Sequence, residues 1–133
     1  MIVAIADTHA LLWYLYSDSR LGKAASDCIN ATIAAGDHIG VSAISIAEMV
    51  YLVEKGRIPV TALNAVHAAT IDPRAVLRHI PLDEGIALQM AQIPRSDIPD
   101  LPDRVIAATA LAHGAPVLSR DRKIRSSNIR TIW

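Results

Sequence analysis

Apolar residues fall into two alternating patterns along the chain. Ile2–Ala6 is apolar at every position, which is typical of a parallel strand buried on both faces. Further short apolar runs recur at intervals, and a last one closes the sequence as a short edge strand. The predicted strands are Ile2–Ala6, Ile39–Ser42, Val76–Ile80, Pro116–Ser119 and Arg130–Trp133.

Between these runs the apolar residues take helical spacing. Ile46, Met49, Val50 and Val53 recur three or four residues apart, which predicts a helix that ends at Gly56. Three prolines and two aspartates within residues 94–102 predict irregular structure there. The other predicted helices are Leu11–Tyr16, Leu21–Ala35, Pro59–Ala69, Asp83–Gln92 with Asp83 as its N-cap, and Arg104–His113, which is apolar almost all round.

The alternation of strands and helices determines the expected fold class. Parallel strands need crossover helices, and these cover both faces of the sheet. We therefore predict an α/β fold: a three-layer α/β/α arrangement with a central parallel sheet of four to five strands. No repeat, linker or shift in composition divides the sequence, so residues 1–133 are expected to form a single domain.

Composition narrows the function classes. With 52% hydrophobic and 20% charged residues, the chain can form a packed core and is not of the disordered class. Its formal net charge of zero excludes a protein that coats nucleic acid through bulk positive potential. Cys28 is the only cysteine, and there is neither a long apolar run nor a basic leader. We expect a cytoplasmic protein without disulfides, a cysteine metal cage or a membrane association.

Four acidic residues occupy positions where α/β proteins place their sites. Asp7 directly follows the first strand, and Asp121 follows the fourth. Glu48 is expected in the first turn of the helix after the second strand, and Asp103 at the start of the helix before the fourth. Because the carboxyl ends of parallel strands meet at one edge of a sheet, we expect all four acids to converge on one cleft.

Such a cluster predicts a bound cation. Carboxylates held together raise one another's pKa values and destabilise the fold unless a positive charge lies among them. An all-oxygen set suits Mg²⁺ or Mn²⁺, which can activate water and neutralise charge on a phosphodiester. Neither cysteine pairs nor a His-x-x-x-His spacing supports zinc.

Each acid also has a purely structural interpretation. Glu48 completes Ser45-x-x-Glu48, a capping-box pattern, and Asp103 suits the positive end of a helix dipole. Asp121 could cap a short turn near Lys123. Asp7 is harder to explain in this way, because an aspartate that ends a buried strand is costly without a partner. Capping does not explain why all four acids share one edge.

Basic and aromatic residues add a weaker signal. Residues 120–130 contain five basic side chains and one acid, and Arg104 adjoins Asp103. Taken by itself, this stretch is better explained by a solvated C-terminal face than by a phosphate-binding surface. His9 follows Asp7 closely and could touch the cleft, but we expect it to be structural, and we expect the aromatic residues Trp13, Tyr14, Tyr16 and Tyr51 to lie in the core. The candidate phosphate-backbone contacts are Arg104, Arg120, Arg122 and Lys123.

Four segments together resemble PIN-domain proteins, in particular the VapC-type toxins of bacterial toxin–antitoxin pairs. They occur in the family's order and span essentially the whole chain. A C-terminal Arg130-Thr-Ile-Trp133 adds to the similarity. The segments are Asp7-Thr-His-Ala-Leu-Leu-Trp13, Val41-Ser-Ala-Ile-Ser-Ile-Ala-Glu48, Asp100-Leu-Pro-Asp103-Arg-Val-Ile-Ala-Ala-Thr-Ala110 and Pro116-Val-Leu-Ser-Arg-Asp121.

The resemblance implies a Mg²⁺- or Mn²⁺-dependent endoribonuclease that cleaves single-stranded regions of RNA, often tRNA or rRNA. Asp7, Glu48, Asp103 and Asp121 match the family's acidic quartet, which binds metal and positions the attacking water. Thr8, Ser119 and Asp100 match auxiliary positions beside these acids. The histidine common just upstream of Asp100 is missing, and Arg95–Ile98 stands there instead.

The resemblance also implies partners. Such toxins usually form homodimers and are silenced by a small antitoxin, here a VapB-like protein, which lies across the cleft. An apolar groove lined by Leu11, Leu12 and Leu15, or by Tyr51 and Leu52, would receive it. The alternative function is a non-catalytic PIN-like module that binds RNA or a protein without cleavage.

Overall fold

A five-stranded parallel sheet forms the centre of the molecule. The computed structural model describes all 133 residues and orders the strands β3-β2-β1-β4-β5. All five predicted strands are present, with ends that differ from the prediction by no more than one residue. The strands are β1 (Ile2–Ala6), β2 (His38–Ser42), β3 (Leu77–Ile80), β4 (Val117–Leu118) and β5 (Thr131–Ile132).

Seven α-helices connect and cover these strands. The last of them was not predicted, because its five residues contain one buried apolar side chain, Ile124, and show no periodicity. The helix expected at Asp83–Gln92 is shorter than predicted and ends in a 3-10 turn at Met90–Gln92. The helices are α1 (Thr8–Leu15), α2 (Lys23–Ala35), α3 (Ala43–Glu54), α4 (Val60–Ile71), α5 (Glu84–Gln89), α6 (Leu101–His113) and α7 (Arg122–Ser126).

Helices α1, α3 and α6 each begin three residues earlier than the apolar pattern indicates. Helix α6 starts at Leu101 because Asp100 caps it, accepting a hydrogen bond from the Asp103 amide at 3.1 Å. Pro102 fits in its first turn, where a backbone N–H has no intrahelical partner in any case. Asp7 caps α1 in the same way through the Ala10 amide at 2.8 Å. Both capping residues therefore stand beside the predicted site.

The sheet separates two apolar cores. On one side, Ala4 and Ala6 of β1 pack with buried residues of α1 to α4. On the other, Ile5 packs with buried residues of α5, α6 and α7. This alternation along β1 gives the expected three layers. None of the helices is both long and apolar enough to cross a lipid bilayer.

Some side chains are buried where the sequence predicts exposure, or exposed where it predicts burial. Trp13 is in the core at 7% exposure and Tyr14 is partly buried, but Tyr16 and Tyr51 are exposed at 55% and 65%. The expectation that all four aromatic residues lie in the core is therefore wrong for these two. Leu11 and Leu12 are core residues and cannot line a docking groove.

Candidate metal centre

The four predicted acids come together at the carboxyl edge of the sheet. Asp7 and Asp121 line one pocket of about 370 Å³. Glu48 and Thr8 line a second pocket of about 320 Å³, and His9 lines both. Burial raises the pKa of Asp103 to about 7, with a further contribution from the negative charges of Asp100, Asp121, Glu48 and Asp7. The cleft thus has carboxyl groups from four parts of the chain, which are the residue after β1, helix α3, helix α6 and the segment after β4.

Asp7 is the most deeply buried of the four acids. It follows β1 and is only 7% exposed, so its burial raises the pKa of the carboxyl group. Hydrogen bonds from the Ser119 hydroxyl and the Ala10 amide partly offset that rise. The N-capping bond fixes one carboxylate oxygen, Oδ1, on the end of α1. Asp7 is therefore both an N-cap and the most buried acid of the cluster.

Glu48 is held by Thr8 and not by a capping box. Helix α3 begins at Ala43 with Ser42 as its N-cap, so Glu48 lies in the second turn and not in the first. The Thr8 hydroxyl donates to Glu48 Oε1 at 2.5 Å and lies 3.0 Å from Ser45 Oγ in a second hydrogen bond. Burial raises the pKa of Glu48, and the Thr8 bond opposes that rise. The capping-box interpretation of Glu48 is wrong, because Ser45 is inside the helix.

Asp103 and Asp100 share the first turn of α6. Asp100 is exposed and accepts from the Asp103 amide through its side chain, so its role as an N-cap is clear. Asp103 is partly buried, and its carboxyl group makes no hydrogen bond within the chain. Its elevated pKa therefore reflects burial and repulsion without a compensating partner.

Asp121 is positioned by the segment that follows β4. It caps α7 by accepting from the amides of Lys123 and Ile124 at 2.9 and 3.1 Å, as the capping interpretation predicted. Its own amide donates to Oγ of the fully buried Ser119 at 3.0 Å. Capping uses one carboxylate oxygen, Oδ1, so the other remains available in the pocket that Asp121 shares with Asp7.

None of these acids forms an ion pair with a basic side chain, although the nearby His9 partly offsets the rise in pKa that burial causes in Asp7 and in Glu48. The ion pairs of the protein lie elsewhere, at Met1–Asp37, Arg20–Asp18, Lys23–Asp27 and Arg74–Asp72. As the side chains are placed, no three of the chain's His, Cys, Asp and Glu groups are arranged to hold a metal ion together. Mg²⁺ commonly takes one or two carboxylates and completes its shell with water and substrate phosphate. An unpaired, partly buried group of carboxylates fits a cation of that kind.

The four basic candidates divide into different environments. Arg104 Nη2 donates to the carbonyl oxygens of Met90 and Ile93 at 3.0 and 3.1 Å. This correction removes Arg104 from the candidate phosphate contacts, because its guanidinium binds the protein's own backbone. Arg122 and Lys123 are exposed on α7 and line neither pocket. Only Arg120 reaches the pocket that contains Asp7 and Asp121.

Three residues of the cleft were not predicted: Trp13, Arg20 and Trp133 complete the wall of the first pocket. His9 is exposed between the two pockets, so its contact with the cleft is confirmed and the structural role expected for it is wrong. His9 and Trp13 are four residues apart on α1, and their ring centroids lie 5.5 Å from each other. That spacing, directly after Asp7, is a signal that could have placed both on the cleft side of the helix.

Comparisons with known proteins agree with this architecture. Residues 4–128 match the family model of the PIN domain. Ribonuclease VapC22 of Mycobacterium tuberculosis is 31% identical over 130 residues, which cover 95% of this chain and 92% of the relative.

Solved structures resemble the fold as well. One is VapBC2 from Rickettsia felis bound to a DNA fragment from their promoter, with a TM-score of 0.71 and 14% identity over 98% of this chain and 97% of that chain. Another is FitAcB from Neisseria gonorrhoeae, with a TM-score of 0.65 and 26% identity over 98% and 96%. The chain belongs to the PIN-domain family, among its VapC-type members.

Proposed function

We propose that this protein is a Mg²⁺- or Mn²⁺-dependent endoribonuclease that cleaves single-stranded regions of RNA, such as those of tRNA or rRNA. The observation that carries the proposal is the convergence of Asp7, Glu48, Asp103 and Asp121 without an ion pair to any of them. The relation to Ribonuclease VapC22 over nearly the whole chain supports the same activity.

The residues of the cleft have two roles, binding the cation and orienting the acids that bind it. Asp7, Glu48, Asp103 and Asp121 would hold the cation, with Asp100, Thr8 and Ser119 as their supports. A divalent cation at this position lowers the pKa of a bound water and neutralises charge on a phosphodiester. Thr8 fixes the Oε1 atom of Glu48, and Ser119 fixes the backbone of Asp121. The carboxylates are thus oriented before substrate arrives, which reduces the reorganisation that cleavage requires.

Substitution of single acids tests this proposal. Asp7→Asn and Asp103→Asn should each abolish Mg²⁺-dependent cleavage of total RNA, while circular dichroism shows the fold retained. Asp97→Asn is the matched control, since Asp97 is exposed and lines neither pocket of the cleft. If both cleft variants cleave as fast as the parent, the chain is a non-catalytic module that binds RNA or a protein.

We further propose that the protein acts as the toxin of a toxin–antitoxin pair and forms a homodimer. Relatives of the same fold were solved as VapBC assemblies, and exposed Tyr51 adjoins Glu48 in the second pocket. A VapB-like antitoxin that covers this pocket would block the acids. Co-expression with a small protein encoded next to the gene should give a stable complex and suppress cleavage. Light scattering that shows a monomer would contradict the homodimer.

A further inference from the structure

The pocket lined by Asp7 and Asp121 is also lined by Arg120, whose guanidinium pairs with neither acid. The Arg120 guanidinium lies over the ring of Trp13, 4.5 Å from its centroid. It forms no ion pair with any carboxylate of the chain. Its N–H donors are therefore free, although Arg120 lines the same pocket as Asp7 and Asp121.

A second arginine over the same Trp13 ring, Arg20, differs from Arg120 because it has a carboxylate partner. The Arg20 guanidinium lies 5.0 Å from the centroid of the same Trp13 ring. Its Nε and Nη2 atoms, however, donate to the two carboxylate oxygens of Asp18 at 3.1 and 2.8 Å. Arg20 is neutralised and serves as a wall of the pocket. Arg120 is thus the arginine of this pocket that has no carboxylate partner.

Trp13 is a rigid support for Arg120. The indole is 7% exposed and packs edge-on against Trp133, with ring centroids 5.6 Å apart. Gly22 allows this approach, since a Cβ there would stand 2.5 Å from the carbonyl carbon of Trp133. A guanidinium over a fixed aromatic face gains cation–π attraction and loses conformational freedom before any ligand binds.

We infer that this pocket binds a phosphate of the RNA strand next to the bond that is cleaved, with Arg120 donating to the phosphate oxygens. The inference rests on the proposed nuclease function and names the residue that positions its substrate. The lining is mostly charged, which suits ribose and phosphate better than a base. A cavity of similar size between α5 and α6, lined by Gln89, Gln92 and Asp97, has no basic side chain.

RNA binding tests the assignment directly. Binding of a fluorescein-labelled single-stranded RNA would be measured by anisotropy with Mg²⁺, in an Asp103→Asn background that should not cleave it. Arg120→Ala should weaken binding about 10-fold or more, the range for loss of a charged hydrogen bond. It should also reduce the slope of log K against log salt concentration by about 0.7, the value for one phosphate contact on a single strand.

Two further variants separate a phosphate contact from a general effect of charge. Arg125→Ala removes a charge from exposed α7 outside the pocket and should change binding less than twofold. Arg120→Lys should restore part of the affinity. In the cleaving protein, Arg120→Ala should raise KM while kcat stays within about twofold. Equal binding by Arg120→Ala and the parent, or equal losses in Arg120→Ala and Arg125→Ala, would overturn the assignment.

The experiment also distinguishes failure of the pocket from failure of the nuclease. If the parent cleaves RNA and Arg120→Ala changes neither KM nor the salt slope, the pocket assignment fails and the nuclease stands. If the parent binds RNA through Arg120 but never cleaves it, the nuclease fails and the pocket stands. If Arg120→Ala weakens only a complex with a protein partner, the pocket binds a carboxylate of that partner and the RNA assignment is wrong.

Discussion

Replacing Asp103 with asparagine should make the metal-free protein more stable at alkaline pH. Asp103 is partly buried and faces four other carboxyl groups, and its pKa is raised from 3.8 to about 7. A carboxyl group whose pKa is higher in the folded state stabilises the fold while it is protonated. That contribution is lost as the pH rises from about 4 through 7. Asparagine keeps the shape without the charge, so its variant escapes the loss.

The size of the effect follows from the pKa change. A shift from 3.8 to about 7 corresponds to roughly 4 kcal/mol, at about 1.4 kcal/mol per pKa unit. Water and salt reach this partly exposed site and screen the repulsion, so we expect about 1–2 kcal/mol in favour of Asp103→Asn at pH 8. Near pH 4 the two proteins should be equally stable.

Urea unfolding in EDTA at several pH values between 4 and 8 measures this difference. Mg²⁺ should then reverse the order, since the parent gains stability from binding the ion and the variant gains less. The reasoning is refuted if Asp103→Asn is no more stable than the parent at pH 8, or if the difference does not depend on pH.

Three other substitutions test separate contacts. Thr8→Val removes the donor to Glu48 Oε1, so the pKa of Glu48 should rise further. The acidic limb of the pH–rate profile should then move to higher pH, and Thr8→Ser should return that limb to its original position. Arg104→Ala removes the donor to the Met90 and Ile93 carbonyls and should cost about 1.5–3 kcal/mol in urea unfolding, whereas Arg125→Ala should cost almost nothing. Gly22→Ala forces the Trp133 backbone to shift, which should cost about 1–3 kcal/mol and change the tryptophan fluorescence; unchanged stability and fluorescence would show that the contact yields easily.

Much of the fold could be predicted because the central strands β1, β2 and β4 are largely buried and therefore consist mainly of apolar residues. Edge strand β3 has exposed Arg78 and His79 between buried Leu77 and Ile80, yet its ends also lie within one residue of the prediction. Asp83 could be predicted as an N-cap because its hydrogen bond from the Ile86 amide joins residues only three positions apart. Helix α7 was missed, because five largely polar residues carry no helical period.

The acids of the candidate site could be predicted from their positions at the ends of strands and the starts of helices, because these ends meet at one edge of the sheet. The hydrogen-bond partners of the site residues could not be predicted, because they come from segments distant in the sequence. The sequence does not show which serine begins α3, so it suggests Ser45 as a cap, whereas the structure pairs Ser45 with Thr8 across 37 residues. Arg104 is a candidate phosphate contact from sequence alone, because the two carbonyl groups that bind it belong to a separate turn.

The dependence of RNA cleavage on a divalent cation tests the central claim most directly. The rate of cleavage of single-stranded RNA by the parent protein would be measured in EDTA and then after titration with Mg²⁺ or Mn²⁺, with Asp7→Asn in parallel. No cleavage is expected in EDTA, with full recovery of the parent on addition of either cation and no recovery in Asp7→Asn. Cleavage that persists in EDTA, or that Asp7→Asn retains, would show that the acidic cleft is not a metal-dependent cleavage site.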